Sequence, residues 1–84
     1  MDISRKEQRV LHLLAQGGWI EVVRDEDEAP VLECYSRDGW LFIGLTELLF
    51  RKLKRKRAIA SKNGGPYRVT RRGLQLVRSQ LNNR

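Results

Sequence analysis

The apolar positions at the start of the chain recur at helical spacing. Ile3, Val10, Leu13 and Leu14 define one stripe, while Arg5, Gln8, Arg9, His12 and Gln16 point the other way. Ser4 followed three residues later by Glu7 has capping-box spacing, in which each side chain satisfies a backbone N–H of the other. Gly17-Gly18 stops this helix by supplying a left-handed conformation that a side chain opposes. The pattern then switches to alternation. Residues 19–24 and 31–36 are rich in β-branched and aromatic side chains and predict two strands. In the first, Ile20 and Val22 turn inward and Glu21 outward; in the second, Leu32 and Cys34 turn inward and Glu33 outward. Asp25-Glu26-Asp27-Glu28-Ala29-Pro30 between them reads as a solvated hairpin loop. Asp38-Gly39 is a tight-turn signal, so residues 40–43 are predicted to return as a third strand, with a helix beginning near Leu41 as the alternative.

Thr46 is placed to cap a second helix, with Glu47 at its positive end. Its expected buried face is Leu45, Leu48, Leu49 and Leu53; Glu47, Arg51, Lys54 and Arg55 lie opposite. Residues 51–57 hold six cations in seven positions, and their mutual repulsion predicts that the helix ends within this run. Lys62-Asn63-Gly64-Gly65-Pro66 then marks a turn between residues 58–61 and 67–69, the pattern of a β-hairpin. Thr70 caps a last helix with Leu74, Val77 and Leu81 expected inward and Leu76 on the exposed side. The element order predicts an α+β fold: a small winged-helix-like domain of three helices with a short β-sheet and a basic C-terminal β-hairpin. Residues 1–84 are expected to form a single domain.

Charge sharpens the picture. The 84 residues carry a net charge of +7, but the signs are segregated. Residues 1–47 hold all ten carboxylates against five cations, a balance of −5; residues 48–84 hold twelve cations and no carboxylate. This dipolar layout points to an anionic partner, either nucleic acid or the acidic surface of a protein that handles DNA. The candidate contact residues are Arg51, Lys52, Lys54, Arg55, Lys56, Arg57, Lys62, Arg68, Arg71 and Arg72.

No pattern points to catalysis or to a cofactor. His12 and Cys34 are single, with the histidine on a solvent face and the thiol turned inward. The acidic loop at residues 25–28 lacks a calcium-loop pattern, because Pro30 and Ser36 stand where glycine and a bidentate Glu are needed. Gly64-Gly65 precedes Pro66, not the Lys-Ser or Lys-Thr of a phosphate cradle. A lone cysteine, no apolar signal core and no membrane-length apolar run make the cytoplasm the expected location.

Several short blocks in order carry a family resemblance. They are Ser4-Arg5-x-Glu7-Gln8-Arg9-x-Leu11-His12-x-Leu14-Ala15-x-Gly17-Gly18, then Glu33-Cys34-Tyr35-Ser36-Arg37-x-Gly39, then Phe50-x-Lys52-Leu53-Lys54, then Asn63-Gly64-x-Pro66-Tyr67-Arg68. Together they resemble the YjhX toxin family over essentially the whole chain. The resemblance implies a bacterial toxin of a toxin–antitoxin pair that binds and inhibits DNA topoisomerase I. It also implies an acetyltransferase-like antitoxin as partner. Direct DNA binding by the basic helix and hairpin is the competing expectation, drawn from fold analogy.

Overall fold

The computed structural model describes residues 3–24, 27 and 29–82. Its elements are α1 (Arg5–Ala15), β1 (Trp19–Val23), β2 (Val31–Tyr35), β3 (Leu41–Phe42), α2 (Glu47–Arg55), β4 (Ile59–Ser61), β5 (Tyr67–Val69) and α3 (Arg71–Asn82). The five strands form one antiparallel sheet in the order β3-β2-β1-β5-β4. The chain is thus α+β, as the element order predicts.

Local sequence explains most boundaries. Ser4 N–H donates to Glu7 Oε1 at 3.0 Å and Glu7 N–H to Ser4 Oγ at 3.2 Å, so the capping box is complete. At the end of α1, Gly18 N–H reaches Leu13 O and Gly17 N–H reaches Leu14 O, with Gly17 at φ 108°. Helix α2 ends with the same pair of bonds, Ala58 to Leu53 and Arg57 to Lys54, within the cation run as expected. Here the left-handed residue is Arg57, at φ 58°, where glycine is usual. Thr46 Oγ1 caps α2 by accepting from Leu49 N–H at 3.1 Å, and Thr70 Oγ1 accepts from Gly73 N–H at 3.1 Å at the start of α3. Between β4 and β5, Gly65 N–H bonds Lys62 O at 3.0 Å across Asn63 and Gly64, both at positive φ. That is a tight turn whose hand matches the strand twist.

The core lies between the three helices and one face of the sheet. Leu11, Ile20, Leu53 and Ala58 are fully buried, with Val10, Leu14 and Cys34 nearly so. Complete burial of a leucine such as Leu53 contributes roughly 1.5–3 kcal/mol. Strand alternation sends Ile20, Val22, Leu32, Cys34, Phe42, Tyr67 and Val69 to this face. Trp19, Glu21, Val23, Val31, Glu33, Tyr35, Leu41 and Arg68 occupy the other face, on which no helix packs among the described residues.

Three expectations are corrected. The third strand covers only Leu41–Phe42, with Trp40 and Ile43 outside it and 76 % and 91 % exposed. Leu48 is not in the buried face of α2: it is 63 % exposed, because the helix rests on the narrow arc of Leu49, Phe50 and Leu53. Leu76 is buried, not exposed, since α3 approaches the core through Gly73. A Cβ at Gly73 would stand 2.3 Å from Ala58 O and 2.6 Å from Val69 Cγ2. This close approach centres the buried arc on Gly73, Leu76 and Val77 and leaves Leu74 only half-buried. Asp25, Glu26 and Glu28 lie outside the described residues, as does the side chain of Leu81.

Candidate partner-binding surface

Helix α2 presents the densest cluster of candidate cations. Leu48, Arg51, Lys52 and Arg55 stand at i, i+3, i+4 and i+7, a spacing that brings them onto one exposed face. Leu48 is therefore an exposed apolar side chain at the N-terminal end of a row of cations. Arg51 Nη2 pairs with Glu47 Oε1 at 2.7 Å, but both side chains are about 70 % exposed and the pair contributes little. Lys54 sits at the border of this face. Its Nζ lies 5.4 Å from the Phe50 ring centroid and 5.6 Å from that of Tyr67, and the two rings meet edge-to-face at 5.0 Å. The ring faces thus hold the ammonium at the seam between α2 and the β4–β5 hairpin.

The cations that follow have different duties. Lys56 turns inward, and its Nζ contacts Glu7 Oε2 at 2.7 Å; the two side chains are 21 % and 3 % exposed. This pair ties α1 to the end of α2. Burial raises the Glu7 pKa, but the Lys56 hydrogen bond, the Ser4 bonds and the Lys56 charge outweigh it, so the carboxyl is held below its ordinary value. Arg72 Nε donates to Lys56 O at 3.0 Å, and Thr70 Oγ1 to Arg57 O at 2.6 Å, so the start of α3 satisfies carbonyls past the end of α2. Arg57 and Arg71 are exposed beside this junction, and Lys62 is exposed at the hairpin turn. Arg68 belongs to the other face of the sheet, where its guanidinium carbon lies 5.7 Å from the Trp19 ring. The ten candidates therefore divide: Arg51, Lys52 and Arg55 share one face, Lys54 borders it, Arg57 and Arg71 are exposed beside the junction of α2 and α3, Lys62 is at the tip, Lys56 and Arg72 fasten elements together, and Arg68 lies elsewhere.

Leu48 is the residue of this face that sequence reasoning misplaced. Its spacing to Arg51, Lys52 and Arg55 was the available signal, because no apolar residue shares that arc.

The main cleft described, about 550 Å³, opens between β1 and the hairpin tip, lined by residues including Glu21, Val23, Arg24, Gly65 and Tyr67. Ser61 also lines it, but its hydroxyl donates to Gly65 O at 2.6 Å and not to Glu21. Among the described residues no three His, Cys, Asp or Glu side chains are grouped to hold a metal ion. Cys34 is buried, and burial pushes its thiol up to about 11, away from nucleophilic thiolate chemistry. Among the described residues no helix is long and apolar enough to cross a membrane.

These features describe a small α+β domain whose built elements are surfaces: a cationic helix face with an exposed leucine at one end, and an uncovered sheet face. The chain belongs to the YjhX toxin family, whose model, described as "Putative toxin of bacterial toxin-antitoxin pair", matches residues 1–84. Similar proteins include the UPF0386 protein of Hyphomonas neptunium, 68 % identical over 99 % of each chain. Those of a Chelativorans species and of Rhizobium johnstonii are 67 % and 64 % identical over the full length of both chains. No solved structure matches the chain.

Proposed function

We propose that this chain, acting as one domain of residues 1–84 in the cytoplasm, is a toxin that binds and inhibits DNA topoisomerase I. An acetyltransferase-like antitoxin counters it. Family membership supports the toxin class, and the resemblance supplies the target. The observation that carries a protein target is Leu48, exposed on the same helix face as Arg51, Lys52 and Arg55, at its N-terminal end. Phosphate binding has no use for an exposed leucine, whereas protein interfaces combine apolar anchors with polar and charged contacts. An acidic patch beside an apolar pocket, on a protein that handles DNA, is the complement of this face.

A second reading is a winged-helix DNA-binding regulator. It is favoured by one observation: β1 pairs with β5 of the β4–β5 hairpin that follows α2, the arrangement in which a wing flanks a recognition helix.

Relaxation of supercoiled DNA by purified bacterial topoisomerase I, titrated with this protein, separates the two. Bare-DNA binding is measured in parallel at two salt concentrations. The inhibitor reading expects inhibition at protein levels that leave DNA uncoated. It also expects Leu48→Asp to lower inhibition at least ~10-fold with no loss of thermal stability, as for a central anchor at an interface. Inhibition that only tracks DNA coating, with a salt slope near −0.9 per phosphate contacted, would overturn it in favour of the regulator.

A further inference from the structure

The uncovered face of the sheet has an order of its own. Its cross-strand pairs between β1 and β2 are Trp19 with Tyr35, Glu21 with Glu33, and Val23 with Val31. The first row is a stacked aromatic pair, 5.6 Å between centroids at 24°, with Arg68 against the indole. The last row is two valines, 43 % and 53 % exposed. Between them two carboxylates face each other directly, and like charges opposite one another on neighbouring strands are destabilising. Neither has a cationic partner among the described residues; Glu21 Oε1 accepts only from Trp19 Nε1, at 3.1 Å. Residues 19–35 as a whole carry six carboxylates against one cation, Arg24.

We propose that this face is a second docking surface, for an extended segment of another protein in which a Lys or Arg is flanked two residues away on each side by apolar side chains. Rows on one face of a sheet repeat every two residues, roughly 6.8 Å apart, which is also the repeat of alternate side chains along an extended segment. Such a segment sets an apolar side chain on Trp19 and Tyr35, its cation between Glu21 and Glu33, and a second apolar side chain on Val23 and Val31. The cation supplies the charge that the facing carboxylates lack. Nucleic acid is repelled by this hairpin, and a second copy docking by the same face about a two-fold axis would bring four carboxylates together. The surface lies apart from the α2 face, so the inference stands independently of the topoisomerase reading.

The test is a titration of the isotope-labelled protein with the peptide Leu-Ser-Arg-Ser-Leu, followed by NMR amide shifts. Gly-Ser-Arg-Ser-Gly and Leu-Ser-Glu-Ser-Leu serve as controls. Saturable shifts confined to residues 19–23, 31–35 and Arg68 are expected, with affinity at least ~5-fold weaker for both controls. The double variant Glu21→Gln/Glu33→Gln is expected to lose a similar factor while keeping or raising its thermal midpoint, since the cross-strand repulsion goes with it, and Arg51→Gln/Arg55→Gln to bind as wild type. Equal binding of the glycine control would reduce the effect to unspecific charge and overturn the proposal. Shifts centred on α2, or no saturable shift, would overturn it too. If dilution of the protein alone moves the same resonances, a second copy is the occupant and the proposed partner is wrong.

Discussion

The ion pair between Glu7 and Lys56 makes a quantitative prediction about what holds α1 to α2. Glu7 is 3 % exposed and accepts from Ser4 N–H as well as from Lys56, at 2.7 Å. Lys56→Met leaves the carboxylate buried with the cap N–H as its remaining bond described here. An uncompensated buried charge of this kind costs about 3–5 kcal/mol. Lys56 is itself 21 % exposed, so water can enter the space its head group leaves. That lowers the expected cost to roughly 2–3 kcal/mol. A domain of this length is stable by only ~4–12 kcal/mol, at roughly 0.05–0.15 kcal/mol per residue. The substitution should thus lower the midpoint of thermal unfolding by at least ~8 °C, at ~4–8 °C per kcal/mol. Glu7→Gln keeps an acceptor for Ser4 but turns an amide toward the ammonium, and should cost about 1.5–3 kcal/mol. The double variant should be less damaging than the sum by ~1–2 kcal/mol, since no buried carboxylate is then left without its ammonium. Urea unfolding followed by circular dichroism measures all four corners of the cycle.

The pH dependence supplies an independent check on the same pair. The Glu7 carboxyl is held below its ordinary value of 4.5 in the folded protein, so its stabilisation is complete above that pH. It is lost as pH falls through the depressed folded value. Wild type should therefore lose more stability than Glu7→Gln on acidification below pH ~4.5. Additivity of the two substitutions within ~0.3 kcal/mol, or identical acid profiles for wild type and Glu7→Gln, would refute the reasoning.

Other outcomes follow from single positions. Gly73→Ala should destabilise by ~1–3 kcal/mol in urea unfolding, because its Cβ meets Ala58 O; a free helical site would instead gain up to ~1 kcal/mol from alanine. Arg57→Gly should leave stability unchanged or raise it by up to ~1 kcal/mol, since glycine takes φ 58° without strain, while weakening any partner that uses the guanidinium. The Cys34 thiol, 1 % exposed and pushed up to about 11, should react with a disulfide reagent at pH 8 at least ~100-fold more slowly in the folded protein than in urea.

The elements of the chain were legible where local chemistry decides them. Ser4 with Glu7, Gly17-Gly18, Thr46, Asn63-Gly64 and Thr70 each mark a boundary by a bond or a backbone angle that the residue itself supplies. The face each helix buries was less legible, because that depends on what the helix meets. Leu48 looked like core because it stands at helical spacing from Leu45, and it is exposed because α2 packs along a single narrow arc of Leu49, Phe50 and Leu53. Leu76 looked exposed because Leu74 and Val77 set an obvious stripe. The close approach at Gly73, a tertiary fact, rotates the buried arc toward it. The same limit applies to the cations. The run at residues 51–57 was evident, but the fastening of Lys56 to Glu7 spans 49 positions of sequence, and no local pattern announces it.

The segment from Leu48 to Arg71 breaks local rules in a way that stability does not explain. A polar side chain would suit position 48 better than a leucine in water. Glycine would suit position 57, where a side chain in the left-handed region costs on the order of 1 kcal/mol. The first turn of α3 holds Arg71 and Arg72 and no acidic residue, although its positive end favours carboxylates by ~0.3–1 kcal/mol. Arg72 recovers part of this by bonding Lys56 O, but Arg71 is exposed. Together these choices forgo roughly 1–2 kcal/mol in a domain that has only ~4–12. They do so in one stretch of chain, on the side where carboxylates are absent from sequence after Glu47. Local costs that cluster on one segment are what a binding surface produces, because its residues are chosen for what they meet outside the fold. Replacing Leu48, Arg57 and Arg71 together by Gln, Gly and Glu should therefore raise the unfolding midpoint while abolishing the inhibition of topoisomerase I proposed for this chain. A variant that is stabilised and equally inhibitory would show that these costs have no bearing on binding.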